Sequence, residues 1–204
     1  MKLYFSPGAC SLSPHIVLLE AGLPFELEQV DLKGSKKTRS GVDFSTINPK
    51  GAVPALHLDD GQVLTEGAVI VQYLADHKPE SQLAPAAGSM ERYRLQEWLN
   101  YIASEIHKGF SPLFSKTNSE EMKQAVKTLL AGKFDYLVTQ LEGKQFLLSE
   151  KFSVADAYLF TVLTWARPVG IDLSKWPVLQ GYFERVHSRP AVKAALATEK
   201  AARS

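Results

Sequence analysis

The apolar positions of the first 80 residues change period several times, as they do where strands and helices alternate. Leu3 to Phe5 is a short β-like run that breaks at Pro7-Gly8, and strand alternation points Tyr4 to the face opposite its neighbours. An apolar-periodic segment with Pro14 in its first turn follows. It predicts a helix over Ser11 to Ala21, punctuated by Gly22 and Pro24. Phe25 to Leu32 reads as a second strand, the stretch from Lys33 to Gly41 as a polar loop, and Asp43 to Ile47 as a short helix. Val53 to Leu58 and Gln62 to Leu64 flank Asp59-Asp60-Gly61, a hairpin signal in which Gly supplies a positive φ. Val69, Ile70, Tyr73 and Leu74 share one face of a helix over Gly67 to His77, so the predicted order is β-α-β-α-β-β-α.

Strand signals end near residue 64, and Pro79 to Gly88 carries no periodicity and reads as a linker. Beyond it the pattern is helical. Ser89 can cap a long helix through Phe110, with Leu95, Leu99, Ile102 and Ile106 recurring at three- and four-residue spacing. Glu120 to Leu141, Ala157 to Ala166, Val178 to His187 and Ala191 to Ala197 complete the set. Ser153 with Asp156 three residues later fits a capping-box variant, which assigns the pair to a helix start rather than to catalysis. The expected organisation is α/β plus all-α: an α/β domain over 1–80, a linker over 81–88 and an all-helical domain over 89–204.

Charge and composition narrow the partners. With 23 basic against 22 acidic side chains, the chain has no electrostatic footprint for nucleic acid or a charged membrane surface. No apolar stretch approaches the roughly 18 to 20 residues that span a bilayer, and Met1-Lys2 leads into strand-like sequence rather than an apolar signal core. A cytoplasmic protein is expected. Its single cysteine cannot make an internal disulfide, which agrees with a reducing compartment, and five histidines and one cysteine show no metal-ligand spacing.

That cysteine, Cys10, falls at the mouth of the first helix, where amide donors and the positive end of the dipole favour a thiolate. Cys10-x-x-Ser13 reads as a thioredoxin-type C-x-x-C whose resolving cysteine is replaced. Such a site forms a mixed disulfide with a small thiol and closes no internal one; the alternative is a small buried hydrophobe. Farther on, Asn100, Ser104 and His107 recur at i, i+4 and i+7, one polar stripe on a helix. His107 can donate near neutral pH beside Lys108, or serve packing; His15, His57, His77 and His187 lack comparable context.

Four motifs in order carry a family resemblance: Ser6-Pro7-Gly8-Ala9-Cys10-Ser11, Asn48-Pro49-Lys50-Gly51 leading into Val53-Pro54-Ala55-Leu56, Leu64-Thr65-Glu66-Gly67, and Trp98 to Phe110. Together with Phe152 to Phe160 they extend the likeness along the whole chain, which resembles a cytosolic glutathione transferase of the bacterial beta class. The resemblance implies a thioredoxin-like first domain, an all-helical second one, glutathione as co-substrate and a homodimer. It places Ala9 and Cys10 in the glutathione site, with Val53 pairing in β fashion with the cysteinyl amide beside a cis Val53-Pro54 bond. Glu66 and Gly67 open a helix whose amides hold the γ-glutamyl carboxylate while Glu66 takes the ammonium; complementing the helix dipole is the alternative role for Glu66. A lysine meets the glycine carboxylate, and Lys36 is the choice over Lys33 and Lys37, in a loop about one residue longer than is usual in the class. The resemblance further implies that Asn100 reaches across an isologous interface to the partner's ligand, with Ser104 on the same stripe, while His107 serves its own subunit; an ordinary helix-surface residue is the alternative for Asn100.

Phe5 and Ser6 stand where larger transferase classes carry a catalytic tyrosine. The resemblance implies that Cys10 meets the glutathione sulfur instead, as hydrogen-bond partner or mixed disulfide, with the adjacent Ser11 hydroxyl as the alternative thiolate donor. Phe110, Pro112, Leu113, Phe114, Trp165 and Pro168 supply either electrophile-pocket wall or core. The implied activity is conjugation of glutathione to apolar electrophiles, with thiol-disulfide exchange or peroxide reduction through Cys10. A glutathione-dependent dehalogenase or lyase, and a non-catalytic carrier of glutathione and apolar ligands, are the alternatives.

Overall fold

In the computed structural model, which describes residues 1–203, β1 (Lys2–Phe5) is the strand around which the first unit is built. It pairs in parallel with β2 (Glu26–Gln29) and antiparallel with β3 (Ala55–His57), which in turn pairs with β4 (Val63–Thr65), giving the order β2-β1-β3-β4. Gly61, at φ +88°, closes the β3–β4 turn. Alternation sorts the two faces as the sequence predicts. Tyr4 joins Val30, Phe44, Val53 and Ala55 in one apolar cluster, while the Phe5 ring meets His15 of α1 (Leu12–Ala21) on the other side, their centroids 6.3 Å apart.

α1 ends where Gly22 takes a left-handed φ of +63° and its amide bonds back to Leu18 and Leu19. It packs against α2 (Gly67–His77), whose bounds are those the apolar face predicts. The unit is thioredoxin-like. Two of its elements are smaller than expected. The second strand keeps only Glu26–Gln29 of Phe25 to Leu32, and the helix expected over Asp43 to Ile47 is a single 3-10 turn, Phe44–Thr46, capped by the Asp43 carboxylate 2.9 Å from the Ser45 amide.

The first unit comprises Met1–Ala84 together with the chain from Arg189 on, and the second Pro85–Ser188. The helical domain expected over 89–204 thus gives up its last helix, α8 (Pro190–Ala201), which packs on α1. A buried carboxylate explains the association. Glu199, 3% exposed, accepts from the Gly8 amide at 2.8 Å and lies 3.3 Å from Nδ1 of His15, while Arg189 makes a bidentate pair with Glu20 at 2.6 and 2.8 Å.

In the second unit Ser89 caps α3 (Met90–Tyr101), its hydroxyl accepting from the Arg92 amide at 3.1 Å. The continuous helix expected through Phe110 changes winding, with π geometry over Ile102–His107 before the short α4 (Lys108–Phe110). α5 (Glu120–Leu141) follows, capped by Ser119, then α6 (Val154–Leu163) and α7 (Pro177–His187). α6 begins before the expected Ala157 because its capping box sits at Ser153, and all ten of its residues are buried. Asp156 accepts from the Ser153 amide and hydroxyl, each at 2.8 Å, from the Leu147 amide at 2.9 Å and from the Tyr182 hydroxyl at 3.0 Å. Among the described residues no helix is long and apolar enough to cross a membrane.

Candidate functional site

The Pro7-Gly8 break turns the chain between β1 and α1. Gly8, with its amide on Glu199, holds φ +78°, a left-handed backbone state that favours glycine, and the end of the Arg203 side chain lies where a Cβ would stand. Cys10 lies in this turn, two residues ahead of α1 rather than on it, and its thiol donates to the Val53 carbonyl at 3.1 Å. A thiol makes that bond and a thiolate does not. The carbonyl therefore opposes the preference that the helix mouth exerts on the sulfur. Ala9 is packed against the Tyr4 cluster, and its amide closes the turn on Ser6 at 3.0 Å. Ser11 is fully buried, with its hydroxyl accepting from the Ser6 amide at 3.2 Å and donating to the Ser6 carbonyl at 3.3 Å. Its hydroxyl braces the turn instead of offering itself to a sulfur.

Cys10 meets Val53 at the entry to β3, where the Val53-Pro54 bond is cis and both residues are buried. The start of α2 lies beside them: a Cβ on Gly67 would stand 3.7 Å from the Pro54 ring and 4.0 Å from the Ser13 hydroxyl. The Val69 and Ile70 amides bond the Glu66 carbonyl at 2.9 Å each, whereas Gly67 and Ala68 precede the first intrahelical bond and present their amides as donors at this point. Glu66, the N-cap, holds φ +70° and ψ 111°, a backbone state that L residues seldom occupy, and its side chain is exposed. Lys50 approaches that carboxylate at 2.5 Å and donates to the Thr65 hydroxyl at 3.1 Å. Cys10, Val53, Pro54, Glu66 and Gly67 are thus brought together, and Lys50 joins them. Sequence reasoning quoted Lys50 in a motif without a role, since a pairing 16 residues away leaves no periodic trace.

Lys33, Lys36 and Lys37 are all exposed in the loop after β2. The loop is organised by Asp31, which accepts from the Gly34 and Ser35 amides at 2.8 Å each; these bonds hold its carboxyl below the usual range. Lys36, at φ +58°, folds its ammonium back onto the Leu32 carbonyl of the same loop.

The remaining predicted residues belong to the helical unit. Asn100 and Ser104 are exposed on one face, Ser104 donating to the Asn100 carbonyl at 3.0 Å. His107 leaves their stripe. Each π turn closes one residue later than an α turn, which rotates His107 inward, where it is half-buried. Its Nδ1 is 2.7 Å from the Tyr158 hydroxyl, and the Trp165 ring lies edge-on at 4.9 Å. Burial, with a smaller push from the Lys108 charge, lowers its pKa to about 4. At neutral pH the ring is uncharged, with one nitrogen carrying hydrogen and the other a lone pair. Trp165 also contacts Phe110 at 5.8 Å and Phe114 at 5.7 Å. Phe110 and Leu113 are core, whereas Phe114 is 52% exposed. Among the described residues no group of three or more His, Cys, Asp or Glu side chains is placed to hold a metal ion.

Similarity to known proteins extends along nearly the whole chain. Residues 8–77 match the family model described as glutathione S-transferase, N-terminal domain, and residues 101–190 the one described as glutathione S-transferase, C-terminal domain. Glutathione S-transferase GstA of Escherichia coli O157:H7 is 47% identical over 199 residues, covering 98% of each chain. The solved ternary complex of BphK, a bacterial GST, superposes with a TM-score of 0.95 at 59% identity over 98% of this chain and 100% of that one. A bacterial beta class glutathione S-transferase from Sphingomonas chungbukensis gives a TM-score of 0.94 at 48% identity over 98% of both chains.

Proposed function

The chain belongs to the glutathione S-transferase family, a transferase with glutathione as co-substrate, and from that premise we propose that it joins the glutathione thiol to apolar electrophiles and exchanges disulfides through Cys10. The observation that carries the reading is the approach of Cys10 to the Val53 carbonyl at 3.1 Å, beside Pro54 and the open amides of α2. An extended tripeptide pairs with the Val53 backbone, sets its γ-glutamyl carboxylate on the Gly67 end of α2 and brings its own sulfur to Cys10. Glu66 then takes the γ-glutamyl ammonium, exchanging Lys50 for the ligand, and Lys36 swings from its loop to the glycine carboxylate.

In conjugation the glutathione thiol gives its proton to solvent, its sulfur bonds to the electrophilic carbon, and the halide or other leaving group departs with the bonding pair. In exchange, the Cys10 thiolate attacks oxidised glutathione, forms the mixed disulfide and releases one glutathione thiolate. His107 donates a hydrogen bond to the reacting sulfur as a neutral ring. Asn100 and Ser104 serve a twofold homodimer, with Asn100 reaching the partner's ligand. The setting proposed is cytoplasmic detoxification. A panel of an aryl halide, an organic peroxide and a mixed disulfide, each with and without glutathione, tests the reading. Turnover of the aryl halide and the mixed disulfide only with glutathione present is expected, together with one added glutathione on wild-type protein and none on Cys10→Ala by mass spectrometry. Tight glutathione binding without turnover of any of the three would make the protein a carrier.

A further inference from the structure

Tyr158 stands on α6, 3% exposed, with its hydroxyl 2.7 Å from Nδ1 of His107 and its ring perpendicular to the imidazole at 5.9 Å. Trp165 closes another side of the imidazole at 4.9 Å. The histidine ring is therefore fixed in its plane by two aromatic neighbours and at one nitrogen by a hydroxyl. A neutral imidazole has one donor and one acceptor nitrogen, and which is which depends on the partner. Burial and the Lys108 charge keep this ring neutral at pH 7. Of the two possible bonds, phenol O–H to imidazole nitrogen joins the stronger donor to the stronger acceptor; imidazole N–H to phenol oxygen joins the weaker of each.

We propose that the Tyr158 hydroxyl donates to Nδ1 of His107 and is a positioning residue for the transferase reaction, holding the histidine as the tautomer that carries its hydrogen on Nε2. The inference rests on the reading of His107 as a hydrogen-bond donor to the glutathione sulfur. With Nδ1 occupied as acceptor, Nε2–H is the one donor the ring has to give. Without the hydroxyl the hydrogen divides between the two nitrogens, and in the Nδ1–H form the ring presents a lone pair to a sulfur that is itself rich in electrons. Tyr158 lies in the stretch from Phe152 to Phe160, which the sequence marks without giving this residue a function.

The test is two-bond proton–nitrogen NMR on ¹⁵N-histidine-labelled protein, read beside kinetics. The wild-type spectrum is expected to show His107 as the Nε2–H tautomer. In Tyr158→Phe, which keeps the ring and the packing, a tautomer mixture is expected, with kcat lowered about three- to tenfold, the scale of one neutral hydrogen bond, and the KM for glutathione within twofold. An Nδ1–H tautomer in the wild-type protein overturns the proposal without recourse to any variant. If Tyr158→Phe keeps full kcat while His107→Ala loses it, the positioning role falls and the donor reading stands. Should His107→Ala keep full kcat, the donor reading falls and takes the catalytic consequence of the tautomer with it.

Discussion

Of the acidic side chains at helix starts in this protein, two are treated in opposite ways. Asp156 at the start of α6 is fully buried and bonded by four donors. Glu66 at the start of α2 is exposed, sits on a positive φ and meets a lysine that solvent also reaches. Burial raises the Asp156 carboxyl above its ordinary range despite those donors, and it pushes the Tyr182 hydroxyl well up beside it. Everything around Asp156 is satisfied, so nothing remains for a ligand. At Glu66 the backbone strain is retained, the amides of α2 stay open, and the ion pair is one that a ligand can replace. Saturation marks the carboxylate that holds the fold, and availability the one proposed to take glutathione.

The largest effect expected from breaking this contrast is at Asp156. Asp156→Ala orphans the amides of Leu147 and Ser153 and the Tyr182 hydroxyl, and is expected to cost about 3 to 5 kcal/mol of stability in urea unfolding. Glutathione affinity of the fraction that still folds should be unchanged. Glu66→Ala is expected to do the reverse, weakening glutathione binding by roughly 1 to 3 kcal/mol in calorimetry while stability moves by less than about 0.5 kcal/mol, because its pair with Lys50 is exposed. Glu66→Gly sharpens the point: it should lose the same affinity yet unfold no more easily than Glu66→Ala, since glycine occupies φ +70° freely. If either Glu66 variant unfolds as readily as Asp156→Ala, the contrast is wrong.

His107, half-buried, lies between the two extremes. The unfolded chain takes up a proton at this histidine near pH 6.5, whereas the folded protein holds off until about 4. More protons are bound to the unfolded chain in that window, so stability is present above pH 6.5 and is lost as pH falls toward 4, by roughly 2 kcal/mol relative to His107→Gln. Urea midpoints of both proteins at pH 4.5 and 7 measure it. Equal losses in the two would place the charged ring in water and undo the neutral-donor reading.

Local signals carried much of the fold. The bounds of α2, the left-handed Gly22 and the Ser89 cap each depend on residues within one turn of one another, and the sequence displays them directly. Cys10, Val53-Pro54 and Glu66-Gly67, far apart in the chain, were grouped only through the family resemblance that four short motifs carry. What escaped depends on distance or on winding. The pairing of Lys50 with Glu66 and the attachment of α8 to α1 through Glu199 are long-range contacts between polar groups, which leave no apolar period. The π turns at Ile102–His107 escaped because two leucines and two isoleucines at three- and four-residue spacing suit either winding over so short a run. The polar stripe drawn through Asn100, Ser104 and His107 assumed the α period, and that assumption misplaced the histidine.

The bond from Glu199 to the Gly8 amide has a consequence for synthesis. A ribosome delivers the β1–α1 turn first and the residue that fastens it almost two hundred positions later. Until then the Cys10 segment of a nascent chain lacks its rear support, and His15 lacks its carboxylate partner in the core. The thiol-bearing turn is therefore finished late, after the whole helical unit has left the exit tunnel. A product cut short ahead of residue 199 would carry Cys10, Val53, Glu66 and Gly67 and still lack the carboxylate that braces the turn.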